Sequence, residues 1–138
     1  MGGYELTDHT ADLGAVFHGR SLEDLFASAG LALFELMVDR PPGPVGEEIE
    51  VKVEGADVGD LLVRFLSELL YLFQVRELVV ADIRIGEVSP TRLAAMLLVL
   101  PFDPTVHGAG REIKAATYHD LLVEQTSEGW RARVVFDL

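Results

Sequence analysis

The chain has 138 residues, 49% of them hydrophobic, which is the size and apolar content of one ordinary domain able to bury most of what its unfolded chain exposes. Its 11 basic and 23 acidic side chains leave a net charge of −12, a field that repels phosphate backbones and argues against direct nucleic-acid binding. With no cysteine, disulfides, thiolate nucleophiles, Fe–S clusters and thiolate zinc sites are excluded, so any metal is left to oxygen or imidazole ligands.

The start, Met1-Gly2-Gly3-Tyr4-Glu5, has neither a basic nor an apolar leader region, and no apolar run approaches the length of about 18 residues that spans a bilayer. A soluble, cytoplasmic protein that is a monomer is the expectation. Residues 4–8 and 13–18 read as strands around a polar segment, Asp8-His9-Thr10-Ala11-Asp12. That segment places three potential ligands within five residues; equally, it is a polar turn whose aspartates accept bonds from nearby backbone N–H groups.

Leu22, Leu25, Phe26, Ala29, Leu33, Phe34 and Met37 repeat with helical spacing behind Ser21 as N-cap and Asp24 three residues on, and the helix should stop near Asp39, before Pro41-Pro42. A strand at 48–54 follows. A second helix starts around Asp57 and carries Val58, Leu61, Leu62, Phe65, Leu66, Leu69, Leu72 and Phe73, an apolar face so wide that it must be covered on more than one side. Segments 79–86 and 92–99 read as further strands, and 102–111 as an exposed connection without phosphate-loop spacing.

The last quarter predicts a hairpin of 113–125 and 130–137 across Thr126-Ser127-Glu128-Gly129. Alternation puts Trp130, Ala132, Val134 and Phe136 on one face, with Arg131, Arg133, Val135 and Asp137 on the other. Pairing 125 with 130 places Tyr118 opposite Asp137, with Lys114 on the same face roughly 10 Å beyond the end. The same alternation sends His119 and Asp120 to opposite faces, which speaks against a nucleophile–base pair there. Asp137 and the carboxylate of Leu138 are neighbouring anions at the end of a buried strand, a costly arrangement unless a cation lies between them, and so a candidate site for a hard metal ion.

The sum is an α+β fold, one domain over 1–138, an antiparallel sheet curled around two main helices, with strand–helix order compatible with a duplicated β-α-β-β unit but no residue-level repeat. Taken together, Asp8-His9-Thr10-Ala11-Asp12, Phe65-Leu66-Ser67-Glu68-Leu69-Leu70-Tyr71, Glu112-Ile113-Lys114-Ala115-Ala116-Thr117-Tyr118-His119 and Val135-Phe136-Asp137-Leu138 resemble the archease family, in order and over essentially the whole chain. The resemblance implies no catalysis of its own but a protein cofactor of the RtcB-type RNA ligase, promoting GTP-dependent guanylylation and repeated turnover in tRNA splicing and RNA repair. It also implies a divalent-metal site at Asp12, Asp137 and the Leu138 carboxylate, calcium first and magnesium or manganese as alternatives, and a functional lysine at Lys114. His9, Tyr118 and His119 are taken as supporting residues around that site. The rival reading is a general chaperone or adaptor for tRNA-modifying enzymes.

Overall fold

Both long helices begin with the same device, and it explains where they start. Ser21 caps α1 (Leu22–Met37) by accepting from the Asp24 amide, while Asp24 reaches back to the amide of Arg20 at 2.9 Å. In α2 (Val58–Gln74), Asp57 accepts from the Asp60 amide and Asp60 reaches back to the Ala56 amide, each at 2.8 Å. The computed structural model describes residues 2–8, 12–40, 43 and 46–138.

Among the described residues eight strands make two antiparallel sheets, where the sequence suggested one curled sheet. In the larger, β1 (Gly3–Asp8) pairs with β2 (Asp12–Gly19) and β2 with β8 (Gly129–Asp137). The far side of β8 is taken by β6 (Ala115–Ala116) and β7 (Leu122–Thr126). In the smaller sheet β5 (Arg92–Pro101) is central, between β3 (Glu47–Glu54) and β4 (Leu78–Val88). Each long helix touches strands of both sheets, so the helices form the layer on which the sheets close.

That placement accounts for the width of α2's apolar face: Leu61, Leu62, Phe65, Leu66, Leu69, Leu70 and Leu72 are all buried, against α1 on one side and sheet strands on others. The helices approach closely at Gly30, where an added Cβ would lie 2.5 Å from Ile83 Cδ1 and 2.9 Å from Leu69 Cδ1. Phe26 and Phe65 meet there with ring centroids 6.0 Å apart.

Two expectations about the chain's second half need correction. The 102–111 connection contains one helical turn, α3 (Pro104–His107), and His107 is buried, stacked on Phe102 with its Nδ1 accepting from the Asp103 amide. The hairpin is correct at its turn, with Gln125 opposite Trp130, but its first strand is broken between β6 and β7. Residues 118–121 leave β8: the Leu121 amide bonds the Tyr118 carbonyl, and Asp120 takes a positive φ of 50°. Ala115, not Tyr118, therefore stands opposite Asp137.

Candidate functional site

The ladder between β2 and β8 ends on Asp12 paired with Asp137. Directly opposed residues of an antiparallel pair share a face, and their side chains start only about 4.5–5.5 Å apart. Their neighbours one step in, Leu13 and Phe136, are buried core residues, so both aspartates lie on the outer face of the sheet. Two acidic residues 125 positions apart in sequence (137 − 12) thus meet at one corner, next to Leu138. Among the described residues no three His, Asp or Glu side chains are grouped closely enough to hold an ion by themselves.

The main chain of Lys114 lies nearer this corner than expected, but the shared face does not hold: the register differs by three residues, an odd number, so Ala115 and not Lys114 stands opposite Asp137. The Lys114 amide donates to the Asp137 carbonyl at 2.8 Å, because the excursion at 118–121 absorbs the three residues by which the expected register was off (118 − 115). Its side chain is exposed. The main chain around it is clamped by α2: the Gln74 side-chain amide donates to the carbonyls of Ile113 at 2.8 Å and Lys114 at 3.1 Å.

Of the other expected supporting residues, the two that are described make their bonds elsewhere. Tyr118 turns to α2, its hydroxyl donating to Asp60 Oδ1 at 2.6 Å. His119 Nε2 lies 3.3 Å from Asp120 Oδ2, contrary to the alternation argument, which fails because these residues form a turn and not a strand. His9 falls outside the described residues.

Asp60 is the anchor of this second clamp, and neither it nor Gln74 was singled out by sequence; the Asp57–Asp60 spacing of a capped helix start is the signal that could have found it. Besides Tyr118 and the Ala56 amide, it receives Arg64 Nε at 2.9 Å. The Tyr118 hydroxyl first, then the Ala56 amide and Arg64, hold its carboxyl down to about 2. For a depressed carboxyl, the stabilisation is complete above the unfolded value of about 4 and is lost as pH falls through about 2. Tyr118→Phe is therefore expected to lower stability at pH 6, with the difference from wild type shrinking as pH falls from 4 towards 2. Urea unfolding across that range checks it; a pH-independent difference would mean the hydroxyl contributes by packing alone.

Fold and corner together define a small α+β protein, two antiparallel sheets closed over two helices, whose concentrated chemistry is an oxygen-rich acidic corner beside a lysine. The profile of the Archease protein family matches residues 4–138. A protein archease of Methanosarcina acetivorans is 38% identical, the match covering 98% of this chain and 95% of that one. Another from Pyrococcus furiosus is 37% identical, covering 98% of both. The solution structure of protein 1598 of Methanobacterium thermoautotrophicum superposes with a TM-score of 0.80 at 30% identity, over 99% of each chain. The chain belongs to the archease family.

Proposed function

We propose that this archease serves as a protein cofactor of an RtcB-type RNA ligase, promoting its GTP-dependent guanylylation and repeated turnover in tRNA splicing and RNA repair. The observation that carries the reading is the opposition of Asp12 and Asp137 at the end of the central ladder, with the Lys114 amide bonded to the latter's carbonyl. A fold that optimised stability alone would not set two carboxylates directly across from each other.

Two aspartates and the Leu138 carboxylate supply hard oxygen donors only, a set that suits calcium, magnesium or manganese and not a soft metal. Asp12, Asp137 and the chain-terminal carboxylate would hold the ion, with the third donor coming from the main chain. A bound divalent ion supplies charge neutralisation for a triphosphate. The protein's own contribution is to hold its donors: the β2–β8 ladder fixes both aspartates, and Gln74 fixes the main chain of Lys114, whose amide bonds the Asp137 carbonyl. Lys114 balances the corner's negative charge or meets a phosphate on the ligase.

The test measures guanylylation and multiple-turnover ligation by the cognate ligase with wild type, Asp137→Asn, and a form extended by two glycines after Leu138. Both variants are expected to lose stimulation by at least about tenfold while staying folded, the range typical of disturbed ion sites. Undiminished stimulation by both would overturn the reading in favour of an adaptor that acts through its surface.

A further inference from the structure

At the opposite end of β1 from the acidic corner lies a groove of about 510 Å³ lined by Tyr4, Leu31, Phe34, Glu35, Val38 and Val80 among others. We propose that it is a docking site for an extended peptide segment of a partner protein, carrying a lysine or arginine between apolar residues, which adds to β1 as a further strand.

Three independent features lead there. The first is the free edge. Among the described residues β1 pairs only with β2 and its other side has no strand beside it, and its ladder runs regularly from Gly3–His18 to Asp8–Leu13. Edge strands usually carry a lysine, a proline or a bulge to discourage pairing, and Gly3-Tyr4-Glu5-Leu6-Thr7-Asp8 has none of these. β4, which borders the groove through Val80, does have a register irregularity, between Val80 and Asp82, so the invited edge is that of β1.

The second feature is incomplete cover. Tyr4 and Leu6 stand opposite Phe17 and Ala15, both fully buried, and so lie on the core face of the sheet, yet each remains 38% exposed. An added strand would set every second side chain on that same face, over Leu31, Phe34 and Val38 of α1.

The third is charge. The C-terminal end of a helix carries partial negative charge that basic residues normally offset, but the last turn of α1 has none. Glu35 lies in that turn and Asp39 just beyond it, both exposed on the groove's lining. Arg40, the nearest cation in sequence, is committed elsewhere, its guanidinium donating to the carbonyls of Thr105 and Val106. A lysine of the incoming strand can lay its stem on the apolar floor and its ammonium on Glu35 and Asp39. Burial first and the Glu35 carboxylate second raise the Tyr4 phenol above its usual value, in keeping with an anionic groove.

The probe is acetyl-Thr-Val-Thr-Lys-Thr-Val-Thr-amide, compared with the peptide bearing Glu in place of Lys, titrated into ¹⁵N-labelled protein. The lysine peptide is expected to shift amides of Gly3–Leu6 and of 31–39, and to bind at least about tenfold more tightly than its glutamate twin. Glu35→Lys should abolish or reverse that preference without lowering Tm, since it removes a like charge from the helix's negative end. Equal binding of the two peptides, shifts confined to other surfaces, or no binding at millimolar peptide would each overturn the proposal. The assay contains no ligase, so its outcome is independent of the role assigned to the acidic corner.

Discussion

Phe65→Ala is expected to lower stability by about 3–5 kcal/mol, a large share of the roughly 5–15 kcal/mol that holds a typical domain together. The ring is fully buried at the crossing of the two helices, in contact with Phe26, and lies 3.4 Å from where a Cβ on Gly30 would be. The crossing depends on both partners being fixed. Gly30 admits the close approach, while Ile83 and Leu69 close over it and leave few groups free to relax into a void. The cost should therefore fall at the upper end for a large-to-small change and lower Tm by about 8–15 °C for a chain of this size. Tyr71→Ala, on the same helix but 49% exposed, is the comparison, expected within about 0.5 kcal/mol of wild type. Urea midpoints at unchanged m-value decide the matter: a loss below about 1.5 kcal/mol for Phe65→Ala would mean that the helices repack and that the crossing does not depend on one ring.

Local signals in the sequence were strong where one residue's chemistry fixes its own backbone. Ser21 with Asp24 gave the start of α1, the repeat of leucines and phenylalanines gave the direction and width of α2, and alternation from Trp130 to Asp137 gave both faces of β8. Neighbour relations were not available from such signals. Nothing in Asp12 or Asp137 says that β2 will lie along the side of β8 away from its hairpin partner β7, because that pairing joins strands from opposite ends of the chain. Alternation determines a face and not an adjacent strand. The same limit explains the error at Tyr118. Register was carried unbroken from Gln125, while of the polar run Thr117-Tyr118-His119-Asp120 only Thr117 still bonds β8, at Val135; Tyr118 turns to Asp60 and Asp120 is left-handed. The groove at Glu35 was invisible for a different reason: an acidic residue near a helix end is ordinary in a chain this acidic, and it gains meaning only beside an unpaired strand. As for the corner, family resemblance supplied the residues, and the fold supplied the fact that two of them are opposite each other.

The same opposition makes a prediction about stability whose sign depends on the ion. In chelator, Asp137→Asn should be as stable as wild type or more so, by about 0.2–1 kcal/mol, because it relieves like charges that stand across a ladder. Asparagine keeps the side chain's shape, so little packing is disturbed. Adding calcium should reverse the order. A ligand that binds only the folded state at a hundred times its dissociation constant stabilises by about 2.7 kcal/mol, and wild type should gain on that scale while Asp137→Asn, missing one of its anionic donors, gains far less. Magnesium should act more weakly, since it insists on octahedral geometry and gives up water reluctantly, whereas calcium accepts an irregular set of oxygens. Thermal unfolding of both proteins in chelator and in rising calcium, up to about 10 mM to cover weak sites, reads all four corners of this comparison. If wild type does not gain, or if both proteins gain alike, Asp12 and Asp137 do not form an ion site in the free protein. The corner's part in activation would then rest on a cation or basic group that it meets on docking to the ligase.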